Sequence, residues 1–361
     1  MKKILVIQNK RIGDVLIASI LANNLKKLFP ESHITYFVYD YTVGVLEQNP
    51  NIDRIIAVRD KELKKLSNLW KEIRKIRKEK YDIILDPYAK FQSRMMCLLS
   101  GAPLRLGFKR KHKKLKLPFY TQPVDFLDKA TKECGKAIED RINMLSSAFE
   151  LSSPDYAYKI WLTQEEKEYD RIAQLKRPVI MLGVLGSTPN KSLPYDYIAQ
   201  IIDHITDRYD ASLLFNYAPH QREEAEKIYA LCSKKDNIHL DIYEDSIRGF
   251  VRLMNQCDLL ISNEGGSVHI AKALSKPTFT IYSPYIDKSH WNSFEDGKFH
   301  ESIHLLEEKP NLFDSYTLEE RRAIEKDPES LYKQLTPEMI LTKLDPYLAH
   351  HFKHSFHESS R

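Results

Sequence analysis

Short apolar runs alternate with amphipathic segments over roughly the first quarter of the chain. Runs typical of buried strands lie at Ile4–Ile7, His33–Val38, Ile55–Val58 and Asp82–Asp86. Apolar residues at helical spacing predict helices over Val15–Phe29 and Lys61–Lys80. This alternation of strands and helices predicts an α/β protein with a mainly parallel, doubly wound sheet.

The same rhythm restarts after a polar, loop-rich stretch that follows Leu151. The predicted strands here are Pro178–Leu182, Ala211–Phe215, Leu259–Ile261 and Thr278–Tyr282, and the predicted helices are Tyr195–Tyr209, Glu223–Cys232 and Phe250–Cys257. We therefore predict two domains, residues 1–165 and 166–348, followed by a flexible polar tail at 349–361 that is rich in His and Ser.

The stretch with the most chemical information is the glycine-rich turn after the strand Leu259–Ile261. It has the sequence Ser262-Asn263-Glu264-Gly265-Gly266-Ser267, and a predicted helix with His269 one turn in follows at once. Glycines let a ligand approach the backbone, and the free N–H groups and dipole of a helix start favour a phosphate. A diphosphate with sugar hydroxyls suits this mixture of groups, although His269 could equally be a core or capping histidine.

Three further loops each allow a structural and a functional interpretation. Asp14, in the turn after the first strand, is either a helix N-cap or a general base at the carboxyl edge of the sheet. The loop Gly186–Pro194, which contains Lys191, is either solvated or a diphosphate site. The segment Asn216–Gln221 is either a capping turn or a contact for a nucleoside ribose.

Charge and composition narrow the class of protein. The net charge is only +5, but basic residues concentrate in Lys61–Lys80 and Arg105–Lys116, which indicates an acidic partner or solvated surfaces. The chain carries no recognisable nucleic-acid motif and no Gly-x-Gly-x-x-Gly after a strand, so nucleic-acid binding and NAD-dependent dehydrogenation are disfavoured. Four scattered cysteines predict a reducing cytoplasm, and neither a signal peptide nor a membrane-spanning run is evident.

Taken together, these motifs resemble glycosyltransferase family 9, the bacterial heptosyltransferase family of lipopolysaccharide core synthesis. The resemblance runs from Ile4 to about Leu348, and order and spacing give it its specificity. The matching pieces are Ile12–Leu16, Tyr81–Asp86, Ser93-Arg94, Arg105–Phe108, Lys191 with Pro194, and Ser262–Leu274.

The resemblance implies a GT-B fold, in which two Rossmann-like domains face each other across a cleft. It also implies an inverting, metal-independent transferase with no cofactor, whose donor is a nucleotide-sugar, ADP-linked by preference. Asp14 would be the base, and Lys191 would stabilise the leaving diphosphate. The implied donor contacts are Ser187, Thr188, Gln221, Glu264, Gly265, Gly266, Ser267, Val268 and His269.

The acceptor would be a lipopolysaccharide-core or related anionic glycolipid, bound by the N-terminal domain at the inner membrane surface. Candidate acceptor contacts are Lys10, Arg11, Arg94, Arg105, Lys109 and Arg110. The helix Lys61–Lys80 and the run Arg105–Lys116 would meet an anionic lipid or a phosphorylated sugar.

Some positions depart from the family pattern. Glu264 stands in place of an aspartate, Leu193 in place of a tryptophan, and Gln221 where an acid is frequent. If Glu264 touches donor hydroxyls, the sugar need not be heptose. Two other interpretations stay open: an epimerase or hydrolase of nucleotide-sugars, and a non-catalytic protein that binds a glycan or lipid.

Overall fold

The computed structural model describes residues 1–109, 117–186, 188 and 191–352. The chain divides into two compact units. The N-terminal unit comprises Met1–Trp161 together with Ser289–Ser293, and the C-terminal unit comprises Leu162–Lys288 and Phe294–Arg361. The first division, after Trp161, lies close to the predicted boundary at residue 165, but no sequence pattern indicated that Ser289–Ser293 belongs to the first unit.

A six-stranded parallel sheet forms the centre of the N-terminal unit. Its strands are β1 Lys3–Ile7, β2 His33–Tyr39, β3 Arg54–Val58, β4 Ile83–Asp86, β5 Leu104–Phe108 and β6 Gln122–Val124. They lie in the order β3-β2-β1-β4-β5-β6. β1 and β4 are nearly continuous apolar runs and are buried, as expected for strands covered on both faces.

Helices connect these strands. They are α1 Ile12–Ala18, α2 Ile20–Leu28, α3 Asp60–Leu63, α4 Leu66–Glu79, α5 Phe91–Ser100 and α6 Lys136–Ser146. A 3₁₀ helix at Asp40–Val45 follows β2.

Two predicted helices are each divided in the structure. The prediction over Val15–Phe29 breaks at Ser19, whose hydroxyl donates to the Leu16 carbonyl at 2.6 Å and whose N–H bonds three residues back to the same carbonyl. Such a local side-chain bond competes with the regular helical pattern. The prediction over Lys61–Lys80 breaks between α3 and α4, at Lys64 and Lys65.

The C-terminal unit repeats the same architecture. Its strands are β7 Val179–Gly183, β8 Ser212–Asn216, β9 Ile238–His239, β10 Leu259–Asn263, β11 Thr278–Ile281 and β12 His300–Ile303, all parallel and in the order β12-β11-β10-β7-β8-β9. Numbered within the unit, this is the order 3-2-1-4-5-6 that the N-terminal sheet also has. It is the order of doubly wound nucleotide-binding sheets.

The helices of this unit are α7 Gln164–Lys167, α8 Tyr195–Arg208, α9 Arg222–Leu231, α10 Ile247–Gln256, α11 Gly266–Ala273, α12 Leu305–Glu308, α13 Leu318–Lys326, α14 Glu329–Tyr332 and α15 Pro337–His351. Short 3₁₀ helices lie at Pro219–Gln221 and Lys288–His290. The predicted tail from residue 349 is wrong for its first residues, because α15 continues to His351 and packs against α8 and β12. Residues 353–361 of that tail lie outside the described residues.

Both sheets have a topological switch point, where the strand order reverses. In the N-terminal sheet it lies between β1 and β4, and in the C-terminal sheet between β7 and β10. Ligands of open α/β sheets bind outside the carboxyl ends of the strands at this place. The loops that follow β1, β7 and β10 carry Asp14, Lys191 and the glycine-rich turn, so topology brings each predicted motif to a switch point.

Candidate functional site

Asp14 lies in the first turn of α1, directly after the loop that leaves β1. The N-cap of this helix is Arg11 and makes no side-chain capping bond, so the structural interpretation of Asp14 as an N-cap is wrong. From Gly13 to Ala18 the helix is buried. The carboxylate is therefore held at the carboxyl edge of the sheet by a packed helix, with only 6% of its side chain exposed.

Two cations balance this buried carboxylate. Lys10 Nζ lies 2.7 Å from Asp14 Oδ1, and Arg141 Nη2 lies 3.9 Å from the same oxygen. Lys10 Nζ also lies 5.6 Å from the ring centroid of Trp291, which belongs to the same unit. A buried charge needs such partners, because taking it out of water unpaired costs several kcal/mol. Lys10 itself keeps 37% of its side chain exposed, so it remains within reach of a ligand.

Arg141 was missed by the sequence reasoning, which assigned no element to residues 136–146. It lies on α6, is buried, and donates through Nη1 to the Ala137 carbonyl at 2.7 Å. Burial lowers the pKa of the Arg141 guanidinium, while the charges of Asp14 and Asp140 act in the opposite direction. The apolar residues Ile138, Ile142 and Leu145 at helical spacing were the available signal for this helix.

The predicted acceptor contacts have different surroundings. Arg11 is exposed. Arg94 stacks on the Phe119 ring at 4.0 Å, and Lys109 pairs with Asp125 at 2.6 Å. Arg110 lies outside the described residues.

Arg105 is used inside the protein. It donates to the carbonyls of Ala102 at 2.6 Å and Phe119 at 3.2 Å, which ties the start of β5 to the segment before β6. Its role as an acceptor contact, like that of the other basic residues, stays a prediction.

In the C-terminal unit, the glycine-rich turn links β10 to α11 as predicted. Gly265 is the N-cap of α11 and adopts φ 157° and ψ −164°, a region essentially restricted to glycine. A Cβ atom built there would meet nothing within 4 Å. The backbone conformation, and not lack of space, therefore requires glycine at position 265. The space beside this residue is open to a ligand.

Some of the predicted donor residues of this turn are accessible to a ligand, and others are buried or bonded within the protein. Gly265 is exposed and Gly266 and Ser267 are half-buried, while Val268 and His269 are buried. Ser267 Oγ lies 3.1 Å from Ser262 Oγ. Glu264 Oε2 accepts a hydrogen bond from the Ser283 N–H, in the loop after β11. Glu264 thus braces two adjacent loops, and a contact to the donor sugar stays a prediction.

The loop after β7 is folded back on itself and carries Lys191. The Gly186 N–H donates to Ser192 Oγ at 2.8 Å, and the Lys191 N–H donates to the Thr188 carbonyl at 2.9 Å. A Cβ on Gly186 would lie 1.9 Å from the Lys191 carbonyl oxygen, so this close approach requires glycine. Lys191 Nζ lies 5.8 Å from the ring centroid of Tyr285. Ser187 lies outside the described residues.

Gln221 joins this loop to the one after β8. Its Nε2 donates to the Gly186 carbonyl at 2.8 Å and its Oε1 accepts from the Ala218 N–H at 3.1 Å. Leu193, the departure from the family's tryptophan, is 1% exposed and lies in the core of the unit. Gln221 therefore holds two loops of the site together, and Leu193 supports the site from the core. A contact of Gln221 with a ribose stays a prediction.

A cavity of about 430 Å³ lies beside Gln221, at the carboxyl ends of β8 and β9. The stacked rings of Tyr217 and Tyr243, with centroids 4.5 Å apart, form part of its wall, and Arg171, Pro219, Arg222, Glu244 and Asp245 complete it. Sequence reasoning missed this feature, because the two tyrosines are far apart in the chain.

Within the described ranges, no group of three or more His, Cys, Asp or Glu side chains is placed to hold a metal ion. Across those same residues, no helix is both long and apolar enough to cross a membrane. Metal independence and the absence of a cofactor stay predictions.

Comparison with known proteins decides the family. The model of glycosyltransferase family 9 (heptosyltransferase) matches residues 69–306, which is more than half of the chain. The chain belongs to glycosyltransferase family 9. It is thus a glycosyltransferase related to the lipopolysaccharide heptosyltransferases, as the sequence motifs predicted.

Curated relatives of this family 9 enzyme are distant in sequence, but the matches cover most of both chains. The lipopolysaccharide core heptosyltransferase OpsX of Haemophilus influenzae is 20% identical over 296 residues, which cover 78% of this chain and 79% of OpsX.

Solved structures show the fold. The glycosyl transferase family 9 structure from Veillonella parvula has a TM-score of 0.75 at 21% identity, and the match covers 96% of this chain and 97% of the other. The E. coli heptosyltransferase WaaC with ADP has a TM-score of 0.70 at 14% identity, covering 96% and 99%. The family 9 chain therefore has the GT-B fold that the sequence predicted, with two doubly wound α/β units.

Proposed function

We propose that this family 9 enzyme transfers a heptose-like sugar from a nucleotide-sugar, with ADP-heptose the favoured donor, to a lipopolysaccharide-core or related surface glycan. The transfer inverts the anomeric centre and needs no metal. The carrying observation is that Asp14 in one sheet, and Lys191 with the glycine-rich turn in the other, each lie at a switch point. A structure of a fold relative with ADP supports a nucleotide donor.

The residues of the N-terminal switch point suit the activation of an acceptor. Asp14 takes the proton from the attacking hydroxyl, whose oxygen forms the bond to the anomeric carbon as the bond to the diphosphate oxygen breaks. Lys10 at 2.7 Å and Arg141 at 3.9 Å fix the carboxylate before the reaction. Because the side chain is buried, its orientation is set by packing rather than by solvent.

The residues of the C-terminal switch point suit the leaving diphosphate, which departs with the bonding electron pair. The open N-terminal turn of α11 offers backbone N–H groups, and Lys191 offers a positive charge. Fixed positive ends aimed at developing negative charge can supply the stabilisation that a metal provides in other transferases. The nucleoside would extend along the same edge towards Gln221 and the Tyr217–Tyr243 cavity.

The cellular setting follows from the same proposal. The four cysteines are unpaired and buried, which supports a reducing cytoplasm as the place of the reaction. The acceptor would then be met at the inner face of the membrane.

Replacing the base tests the proposal directly. Asp14→Asn keeps the shape and removes the proton acceptor, so we expect turnover to fall by roughly a hundredfold to ten-thousandfold. The melting shift produced by ADP should stay unchanged, because the nucleotide site lies in the other unit. Transfer is measured with ADP-heptose and a lipopolysaccharide-core acceptor.

Asp40→Asn is the matched control, since Asp40 is an exposed carboxylate that follows β2 at the same edge of the sheet. It should leave turnover near the wild-type value. Equal turnover of the Asp14 variant and wild type would remove the base assignment. Donor consumption without any acceptor would instead favour the epimerase or hydrolase interpretation.

Lys191 is tested in the same assay. Lys191→Ala should lower both donor affinity and turnover, because the charge acts on the ground-state diphosphate and more strongly on the leaving group. Lys191→Arg keeps the charge and should restore part of both. Unchanged kinetics of the alanine variant would exclude Lys191 from the diphosphate site.

A further inference from the structure

Two helices of the N-terminal unit begin with large apolar side chains in solvent. Leu66 is the first residue of α4 and is 65% exposed, and Phe91 is the first residue of α5 and is 51% exposed. Trp70, one turn into α4 on the side of Leu66, is 49% exposed. Three such side chains at helix starts are a costly feature in water, because each leaves apolar surface hydrated.

The two helix starts lie at the same edge of the unit. α4 returns from β3 to β4, and α5 returns from β4 to β5, so both helices run from the carboxyl edge of the parallel sheet. The two helices also pack against each other. We call Leu66, Trp70 and Phe91, with the exposed cations of α4, the α4–α5 surface.

The starts of both helices are basic, and the nearby acids Asp60, Glu62 and Glu72 are each paired with a cation. Neither α4 nor α5 has an acidic residue in its first turn, and the N-cap residues are Lys65 and Lys90. Lys71, Arg74 and Lys78 follow along the exposed side of α4, and none of the three forms an ion pair with any residue in the described ranges.

Helix α13 provides an internal comparison. It also begins with an exposed leucine, Leu318, which is 75% exposed. Its first turn, however, contains Glu319 and Glu320, and Thr317 caps it through a capping box. This is the usual composition of a solvated helix start, and the α4–α5 surface differs from it in charge.

We infer that the α4–α5 surface docks on the anionic headgroup region of a lipid bilayer. Aromatic and aliphatic side chains beside lysine and arginine are the pattern of segments that lie in a membrane interface. The cations are attracted by anionic lipids, and Leu66, Trp70 and Phe91 enter the boundary between headgroups and acyl chains. A soluble phosphate would satisfy the cations but would leave the apolar side chains in water.

The inference deepens the proposed function and rests on it in one respect, namely that the acceptor is a membrane glycolipid. Asp14 lies at the carboxyl edge from which α4 and α5 also start. Docking through this edge would hold the reacting end of the unit at the bilayer surface, where the acceptor sugar projects.

Vesicle sedimentation of the full chain tests the docking without any transfer reaction. We expect binding to vesicles of phosphatidylethanolamine and phosphatidylglycerol, weakened by salt, and little binding to phosphatidylcholine vesicles. The combined variant Lys71→Gln, Arg74→Gln and Lys78→Gln should lose roughly a hundredfold in partitioning. The combined variant Leu66→Ser, Trp70→Ser and Phe91→Ser should lose at least about tenfold, and Leu318→Ser, the matched control, should lose nothing.

Two additional measurements separate the possible failures. The ADP-induced melting shift shows that each variant is folded and binds nucleotide, independently of the membrane. Transfer to a deacylated, lipid-free core oligosaccharide should be the same for all variants, while transfer to the glycolipid in vesicles should fall. Absence of wild-type binding to anionic vesicles overturns the docking, and an equal loss with the lipid-free acceptor would show that the surface binds acceptor phosphates instead.

Discussion

At the scale of single residues, Glu264 has a structural role that the sequence prediction did not include. The departure from the family's aspartate pointed to donor choice. In the structure, its Oε2 accepts the Ser283 N–H, and its charge lies close enough to Tyr332 to help burial raise the pKa of that hydroxyl. The extra methylene relative to aspartate gives the carboxylate the reach to join two loops.

We therefore expect Glu264→Asp to act first on stability. Loss of a charge-assisted hydrogen bond to a part-buried N–H should lower the free energy of unfolding by about 1.5–3 kcal/mol. Urea unfolding measures this change, and Glu264→Gln, which keeps the length, serves as the control with a smaller loss. A variant with wild-type stability but altered donor affinity would instead place the carboxylate on the sugar.

Asp14 and Arg141 show which single residues a sequence pattern can and cannot single out. Asp14 was predicted as a candidate base because it follows a predicted strand, which places it at the edge of the sheet where ligands bind. Arg141 was not found, because a buried arginine on a helix looks like any solvent-exposed charge in the sequence. Only the approach of α6 to α1 shows that its guanidinium lies 3.9 Å from the carboxylate.

At the scale of elements, the turn between β4 and α5 is organised by one buried carboxyl group. Asp86, the last residue of β4, accepts the Ala89 N–H at 2.8 Å and the Tyr120 hydroxyl at 2.7 Å. Burial nevertheless outweighs these bonds and raises the pKa of Asp86 to about 6. The turn that starts α5 therefore contains a group that titrates at mildly acidic pH.

The raised pKa of Asp86 predicts the direction in which the stability of the protein changes with pH. An unfolded aspartate has a pKa of about 4, so the folded protein binds the proton more tightly, and the contribution of Asp86 to stability falls as the pH rises from about 4 to about 6. Asp86→Asn removes this effect. The free energy of unfolding of the variant relative to wild type should rise by up to about 3 kcal/mol between pH about 3.5 and pH about 7.

Urea unfolding at several pH values measures this difference. Wild type and variant share all other titrating groups, so the contributions of those groups cancel in the comparison. A difference that does not change with pH would show that Asp86 titrates normally in the folded protein.

Elements were predicted where local signals were strong and missed where they were not. The strands around both switch points are short apolar runs bounded by polar turns, and their positions agree with the structure to within one or two residues. The break at Ser19 depends on a side-chain hydrogen bond, which apolar periodicity does not report. β9 has only two residues, and β12 begins with three consecutive polar residues, so both carry too little apolar pattern to be recognised.

At the scale of the whole molecule, the repeated architecture was predictable because it needs only the alternation of strands and helices. A mainly parallel sheet in each half follows from strand–helix–strand units with right-handed crossovers, whereas the strand order that the two sheets share is a finding of the structure. The placement of Asp14 and Lys191 at switch points then follows from topology. The pairing of Tyr217 with Tyr243 did not follow, since it depends on how β8 and β9 lie side by side.

The assignment of Ser289–Ser293 to the N-terminal unit has a consequence for how the chain matures on the ribosome. Trp291, the aromatic neighbour of Lys10, is synthesised only after Leu162–Lys288, the larger part of the C-terminal unit. Domains of most nascent chains fold as they emerge, the first one first. Here the first unit stays incomplete until the segment Leu162–Lys288 of the second has been made, so the surroundings of the base are finished late in translation.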